Sequence, residues 1–199
     1  MGRANPQPIA FQSFKTLLIR MADPISIFSP LGSSSRIIPD MRVFRVMFVC
    51  LGNICRSPLG HGVFAHHVAQ AGLQDQIFVE SSGTGAWHVG EQADARMRSV
   101  AASHGVPIDH RAQKFASSDF EQYDLILAMD SQNRRDILSL CPHPSLAAKV
   151  KMFRDFDPQG PGDVPDPWYG GPEGFEMVWD IVERTASHLL QHISQELQS

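Results

Sequence analysis

The run Val43-Phe44-Arg45-Val46-Met47-Phe48-Val49 is short, apolar and β-branched, and a few residues beyond it Ser57-Pro58 opens a helical pattern. The run suits a strand buried on both faces. Serine is a favoured N-cap and proline is tolerated at the first helical position, so Ser57 is expected to cap a helix over about 57–71, with Gly72 as its stop. The same alternation continues down the chain. Ile77-Phe78-Val79 reads as a second strand ending at Ser81-Ser82-Gly83, and a helix over about 92–103 stops at Gly105. Tyr123 to Met129 forms a third strand, followed by a helix capped by Asp130 or Ser131 that runs to about 140. Val150-Lys151-Met152-Phe153 is a fourth strand, 155–174 a loop rich in Pro, Gly and Asp, and 174–197 an amphipathic helix. Strands that alternate with helices specify an α/β fold with a parallel sheet. With 43% hydrophobic residues in 199, the chain can bury one sizeable core.

Residues 1–40 read differently. Pro6, Pro8, Pro24, Pro30 and Pro39 fall here with Gly32-Ser33-Ser34-Ser35, and Arg3, Lys15, Arg20 and Arg36 outweigh Asp23 and Asp40. Gln12, Ser13 and Lys15 break up the apolar stretch from Ile9 to Ile19, where a signal peptide needs a cleaner core. The segment is expected to be a flexible extension or, given Met21 and Met41, an over-long start, with 41–199 as the functional domain. The whole chain carries net −4, which argues against a partner held by bulk positive charge such as nucleic acid. No apolar run approaches the roughly 18 residues of a membrane span. Three cysteines make no disulfide framework and point to free thiols in a reducing, cytoplasmic setting.

Chemistry concentrates in Cys50-Leu51-Gly52-Asn53-Ile54-Cys55-Arg56-Ser57-Pro58, between the first strand and the first helix, where open α/β sheets place their ligands. A loop this short can aim successive backbone N–H groups at one point, and at a helix N-terminus such a nest holds a tetrahedral oxyanion. Gly52 offers a positive φ without steric cost, with Asn53 the next-best residue for it. The amides and a neighbouring arginine favour the thiolate of Cys50. Arg56 supplies a planar fork for two phosphoryl oxygens.

This segment resembles the phosphate loop of the low-molecular-weight protein tyrosine phosphatases, and the resemblance extends over about 43–197. A second element, Asp166-Pro167-Trp168-Tyr169-Gly170, is similar to that family's acid loop and falls ahead of the final helix, as the family has it. The resemblance implies a flavodoxin-like three-layer sandwich, a four-stranded parallel sheet flanked by helices. It also implies hydrolysis of phosphotyrosine and aryl phosphates through a cysteinyl-phosphate intermediate, without metal or other cofactor. Cys50 is then the nucleophile, Arg56 the clamp, Asp166 the general acid, and Leu51 to Cys55 with Ser57 the phosphate cradle. Asp166 also reads physically, since Pro165 and Pro167 stiffen the backbone that carries it.

The family's supporting network falls on Asn53, Ser57, Ser81 and His110, the last on its own an ordinary surface histidine. Trp87, Trp168 and Tyr169 match aromatic pocket walls that would grip a flat phenyl ring. Cys55 matches a second loop cysteine that, in the family, can form a disulfide with the nucleophile under oxidation. Asp130 reads only as a helix cap, and Cys141 as inert. The implied partners are a phosphotyrosine-containing protein or peptide and inorganic phosphate as product, with no nucleic acid or membrane, for a monomer or weak dimer.

Other patterns fail on spacing. Gly83-Thr84-Gly85 lacks the third glycine of a dinucleotide fingerprint, and Cys50 and Cys55 lack the spacing of a zinc pair. Arsenate reductases of similar fold need a further cysteine pair that Cys141 alone cannot supply. Protein-arginine phosphatases carry threonine where Ile54 stands. A non-catalytic anion-binding or redox protein would have no use for Cys50, Arg56 and Asp166 together.

Overall fold

The structure, a computed structural model, describes residues 42–198, apart from the Tyr169 side chain. The extension read at 1–40 lies outside the described residues. Four parallel strands, β1 (Phe44–Cys50), β2 (Ile77–Gly83), β3 (Leu125–Ala128) and β4 (Val150–Met152), lie in the order β2-β1-β3-β4. Helices α1 (Arg56–Gln70), α2 (Ala95–Ser103), α3 (Asp119–Gln122), α4 (Ser131–Ser139) and α5 (Pro172–Glu196) cover both faces. The alternation of side chains along β1 divides the core. Val46, Phe48 and Cys50 face Leu59, Val63 and Phe64 of α1 and Val178, Val182 and Leu189 of α5. Met47 and Val49 face Phe120 of α3 and Ile137 of α4. The result is the expected three-layer α/β sandwich.

Four sequence expectations shift. The second helix begins at Ala95, three residues late, after the Asp94 cap, because Gln92 bridges Arg111 instead. The third strand begins at Leu125, two residues late, because the Tyr123 N–H bonds Asp119 to close α3, a turn of helix that the sequence left unread. The last helix starts at Pro172, with Gly171 before it. Most consequentially, Ser57 is not the cap of α1. The helix begins at Arg56 after Cys55, with no side-chain cap, and the Ser57 hydroxyl is engaged elsewhere. Among the described residues, no helix is long and apolar enough to cross a membrane.

The strand order changes direction at β1, between β2 and β3, so the loops that leave the carboxyl ends of β1 and β3 diverge around a crevice. Two attachments bring later segments to it. Gly83, at the end of β2, exchanges backbone hydrogen bonds with Gln113 and Phe115, which draws 110–115 alongside. Val164 N–H bonds the Met129 carbonyl at 2.8 Å, tying the long loop before α5 to the end of β3.

Candidate active site

The loop from Cys50 to Arg56 turns on Asn53, not Gly52. Asn53 has φ 54° and is the one non-glycine residue with positive φ among the described residues. Gly52 stays outside that region, and its lack of a side chain answers to packing: a Cβ there would sit 3.1 Å from the His88 ring. Gly83 has a similar reason, since a Cβ would lie 2.8 Å from the Leu51 carbonyl. Asparagine tolerates the left-handed conformation, and here every polar position of its side chain is bonded. Its Nδ2 donates to Ser57 Oγ at 2.9 Å and Ser81 Oγ at 3.0 Å. Its Oδ1 accepts from His110 Nε2 at 2.9 Å and Gln113 N–H at 2.8 Å. Both amide protons and both lone pairs are thereby used, and the network assigns the His110 proton to Nε2.

The buried Cys50 Sγ lies within this frame. It accepts the Asn53 N–H at 3.3 Å and stands 3.0 Å from Ser57 Oγ. The Ser57 proton has a second acceptor, the Ser82 carbonyl at 3.2 Å, while the Ser57 oxygen receives Asn53 Nδ2. Four carbonyls of the loop are engaged by backbone donors: Cys50 O by Thr84 N–H (2.9 Å), Leu51 O by Gly85 N–H (2.8 Å), Ile54 O by Asp94 N–H (2.7 Å) and Cys55 O by Leu59 N–H (3.2 Å). In a trans peptide the N–H points opposite to its C=O, so the amides of residues 51, 52, 55 and 56 are turned away from those donors.

Arg56 is 4% exposed and spread like a bracket between the two later loops. Nη1 donates to Asp130 Oδ2 at 2.6 Å and to the Val164 carbonyl at 3.2 Å, while Nη2 donates to Asp166 Oδ2 at 2.7 Å. Burial works against its charge, but Cys50, Asp166 and Asp130 together hold the guanidinium above its ordinary value. Asp130 does cap α4, through the Asn133 N–H. Its contact with Arg56 is a second role that the sequence did not show, because it depends on β1 and β3 being neighbours. Asp166 is 40% exposed and anchored at its other oxygen by the Trp168 N–H at 3.0 Å.

Cys50, Leu51, Gly52, Ile54, Cys55, Arg56, Trp87, His88, Asp166 and Trp168 line a cleft of about 190 Å³. Trp87 stands at its mouth, 73% exposed, and Trp168 is partly exposed. The Tyr169 side chain lies outside what is described. His88, to which sequence reasoning assigned no part, enters the lining, with Nδ1 2.7 Å from Glu91 and its ring 6.1 Å from that of Trp168. Ser81 and His110 lie behind the loop, tied to Asn53, and His110 is buried rather than superficial. Cys55 is buried beside the cleft; burial first, then Asp94, Cys50 and Asp166, push its thiol well up, so it stays protonated. Cys141 stands apart, with Sγ 3.1 Å from the His143 carbonyl.

The family model for the low molecular weight phosphotyrosine protein phosphatases matches residues 45–199. A low molecular weight protein-tyrosine-phosphatase of Streptomyces coelicolor is 44% identical over 158 residues, which is 78% of this chain and 96% of that protein. A low molecular weight phosphotyrosine protein phosphatase of Schizosaccharomyces pombe is 46% identical over 133 residues, 66% of this chain and 85% of its own. Among solved structures, a protein tyrosine phosphatase from Entamoeba histolytica with Hepes in the active site superposes with a TM-score of 0.74 at 38% identity, covering 77% of this chain and 98% of that one.

Proposed function

The chain belongs to the low molecular weight phosphotyrosine protein phosphatase family and is an enzyme that hydrolyses phosphotyrosine, and on that premise we propose that the reaction runs through a phosphate bonded to Cys50 Sγ. The sulfur attacks phosphorus, and the P–O bond to the tyrosine ring breaks on the opposite side. Backbone amides of the loop and of the first turn of α1 hold the phosphoryl oxygens. The phosphoryl group takes over the Nη2 hydrogen bond that Asp166 makes with Arg56, while Asp130 and Val164 keep Nη1 and the guanidinium plane in place. The released Asp166 carboxylate takes up a proton from solvent and, as the carboxylic acid, gives it to the departing phenolate oxygen. In the second half, the Asp166 carboxylate takes a proton from water as its oxygen attacks phosphorus. The S–P bond breaks, and inorganic phosphate leaves with the thiolate restored.

The observation that carries this reading is the meeting at one sulfur of the Ser57 hydroxyl and the Asn53 N–H, beside an arginine already bracketed by Asp166. We take the substrate to be a phosphotyrosine-containing protein or peptide, whose ring Trp87 and Trp168 would flank. We also take the enzyme to be a monomer or weak dimer acting in the cytoplasm, where its thiols stay reduced.

The test compares turnover of phosphotyrosine, phosphoserine and phosphoarginine peptides, and reduction of arsenate, by the pure protein. Phosphotyrosine should be hydrolysed fastest, and Cys50→Ser should abolish turnover while still binding inorganic phosphate. Full activity in Cys50→Ser, or a preference for phosphoarginine or arsenate, would overturn the assignment.

A further inference from the structure

Asp166 is set by a short turn, Pro167–Tyr169, which it caps through the Trp168 N–H. What holds that turn lies outside the catalytic loop. The Arg96 guanidinium sits between two rings, 5.3 Å from the centre of Trp168 and 4.6 Å from that of Phe175, a buried residue of α5. Its Nε and Nη2 fork onto the two oxygens of Asp94 at 3.1 and 3.0 Å. Asp94 in turn caps α2 through the N–H groups of Arg96 and Met97, and its own N–H holds the Ile54 carbonyl of the phosphate loop at 2.7 Å. The chain of contacts therefore runs from the phosphate loop through Asp94 and Arg96 to Trp168, and from Trp168 to the carboxylate of Asp166.

Resting on the phosphatase reading above, we propose that Arg96 is a positioning residue that fixes the general acid relative to the phosphate loop by bracing Trp168. Each feature of the side chain suits that task. A planar guanidinium lies over an aromatic face and forks onto a carboxylate at the same time, which a lysine ammonium cannot do. The anchor at the far end is a helix cap bonded to the loop that holds the nucleophile. A brace on the acid affects proton delivery to the leaving group and leaves phosphate binding to the amides and Arg56.

The experiment measures kcat/KM for a series of aryl phosphates, from p-nitrophenyl phosphate, whose leaving group needs little protonation, to phenyl phosphate, which depends on it. Arg96→Leu keeps the apolar stem and removes the fork. It should lower kcat/KM on phenyl phosphate by about tenfold, part of the full general-acid factor, and by less than about twofold on p-nitrophenyl phosphate. Arg96→Lys should recover part of the loss, and inhibition by inorganic phosphate should not change. In a Trp168→Ala background Arg96→Leu should add nothing, because the two substitutions break one link.

An equal loss on all esters, a weakened phosphate inhibition, or additivity with Trp168→Ala would each overturn the proposal, the first two by showing general damage to the site. If the unaltered protein hydrolyses neither ester, the phosphatase reading itself fails. If it hydrolyses both and Arg96→Leu leaves the leaving-group dependence unchanged, only the brace is refuted.

Discussion

The phosphate loop and the acid loop meet over Cys50, yet the first is bonded throughout while the second presents a carboxylate with few partners. In the first, Asn53, Arg56 and Ser57 are buried, the asparagine amide has no unused hydrogen-bonding capacity, and three backbone carbonyls are tied to neighbouring segments. In the second, Asp166 is 40% exposed and rests on one guanidinium and one N–H. The difference suits the two tasks proposed above. Dipoles stabilise a developing charge most when they need not reorganise, so the cradle is rigid. A general acid must exchange partners during the reaction, so its contacts are few and replaceable.

Substitutions separate the two designs. The largest effect is expected from Asp166→Asn, which should slow hydrolysis of phenyl phosphate by about 10²–10⁴-fold while changing unfolding stability by less than about 1 kcal/mol. Steady-state rates and thermal melts on the same sample check both halves, and a large loss of stability would show the acid loop to be a structural element.

Asn53→Ala should behave in the opposite sense. It removes the side-chain partner of Ser81, His110 and the Gln113 N–H and one of the partners of Ser57, and places alanine at φ 54°. The expected cost is about 2–3 kcal/mol of stability, seen as a melting temperature lower by roughly 5–10 °C. A melting temperature equal to that of the parent would mean that the frame around Asn53 is not what rigidifies the loop.

The smallest effect concerns pH. His61 on α1 has its ring 6.2 Å from that of His110, behind the phosphate loop. Burial, and then the neighbouring His110 charge, hold its pKa at about 4, with Glu80 opposing. The unfolded chain, with a histidine near 6.5, binds more protons than the folded one between those values. Stability present above pH 6.5 should therefore fall as pH drops towards 4, and His61→Gln should flatten that slope in melts taken between pH 7.5 and 4. An unchanged slope would exclude His61 as its source.

Much of this was legible along the chain. The strand-loop-helix junction at Cys50 stood out because a cysteine, a short loop with Gly52 and Asn53, and an arginine lie within one segment, and Asp166 because two prolines and two aromatics surround it. Ser57 was misread for a physical reason. A serine before a proline looks like a cap, but its hydroxyl is aimed at Cys50 Sγ, as the resemblance to the family's loop network implied and local capping preference did not. The positive φ fell on Asn53 rather than Gly52 because hydrogen bonds from distant segments outweigh the intrinsic freedom of glycine. Asp130 and His88 could not be placed from local pattern, since one reaches Arg56 across neighbouring strands and the other lines the cleft from a loop.

The sequence alone settled the alternation of strands and helices, and with it the α/β class, because periodicity and capping act over a few residues. It also supplied the residues that the proposed mechanism uses as nucleophile, clamp and acid, since their chemistry is intrinsic to their type. Tertiary structure decided how they are held: Arg56 between Asp130 and Asp166, Asn53 against His110 and Gln113, and Trp168 against Arg96. Those contacts join residues dozens of positions apart, and their geometry exists only once the sheet order has brought the ends of β1, β2 and β3 together.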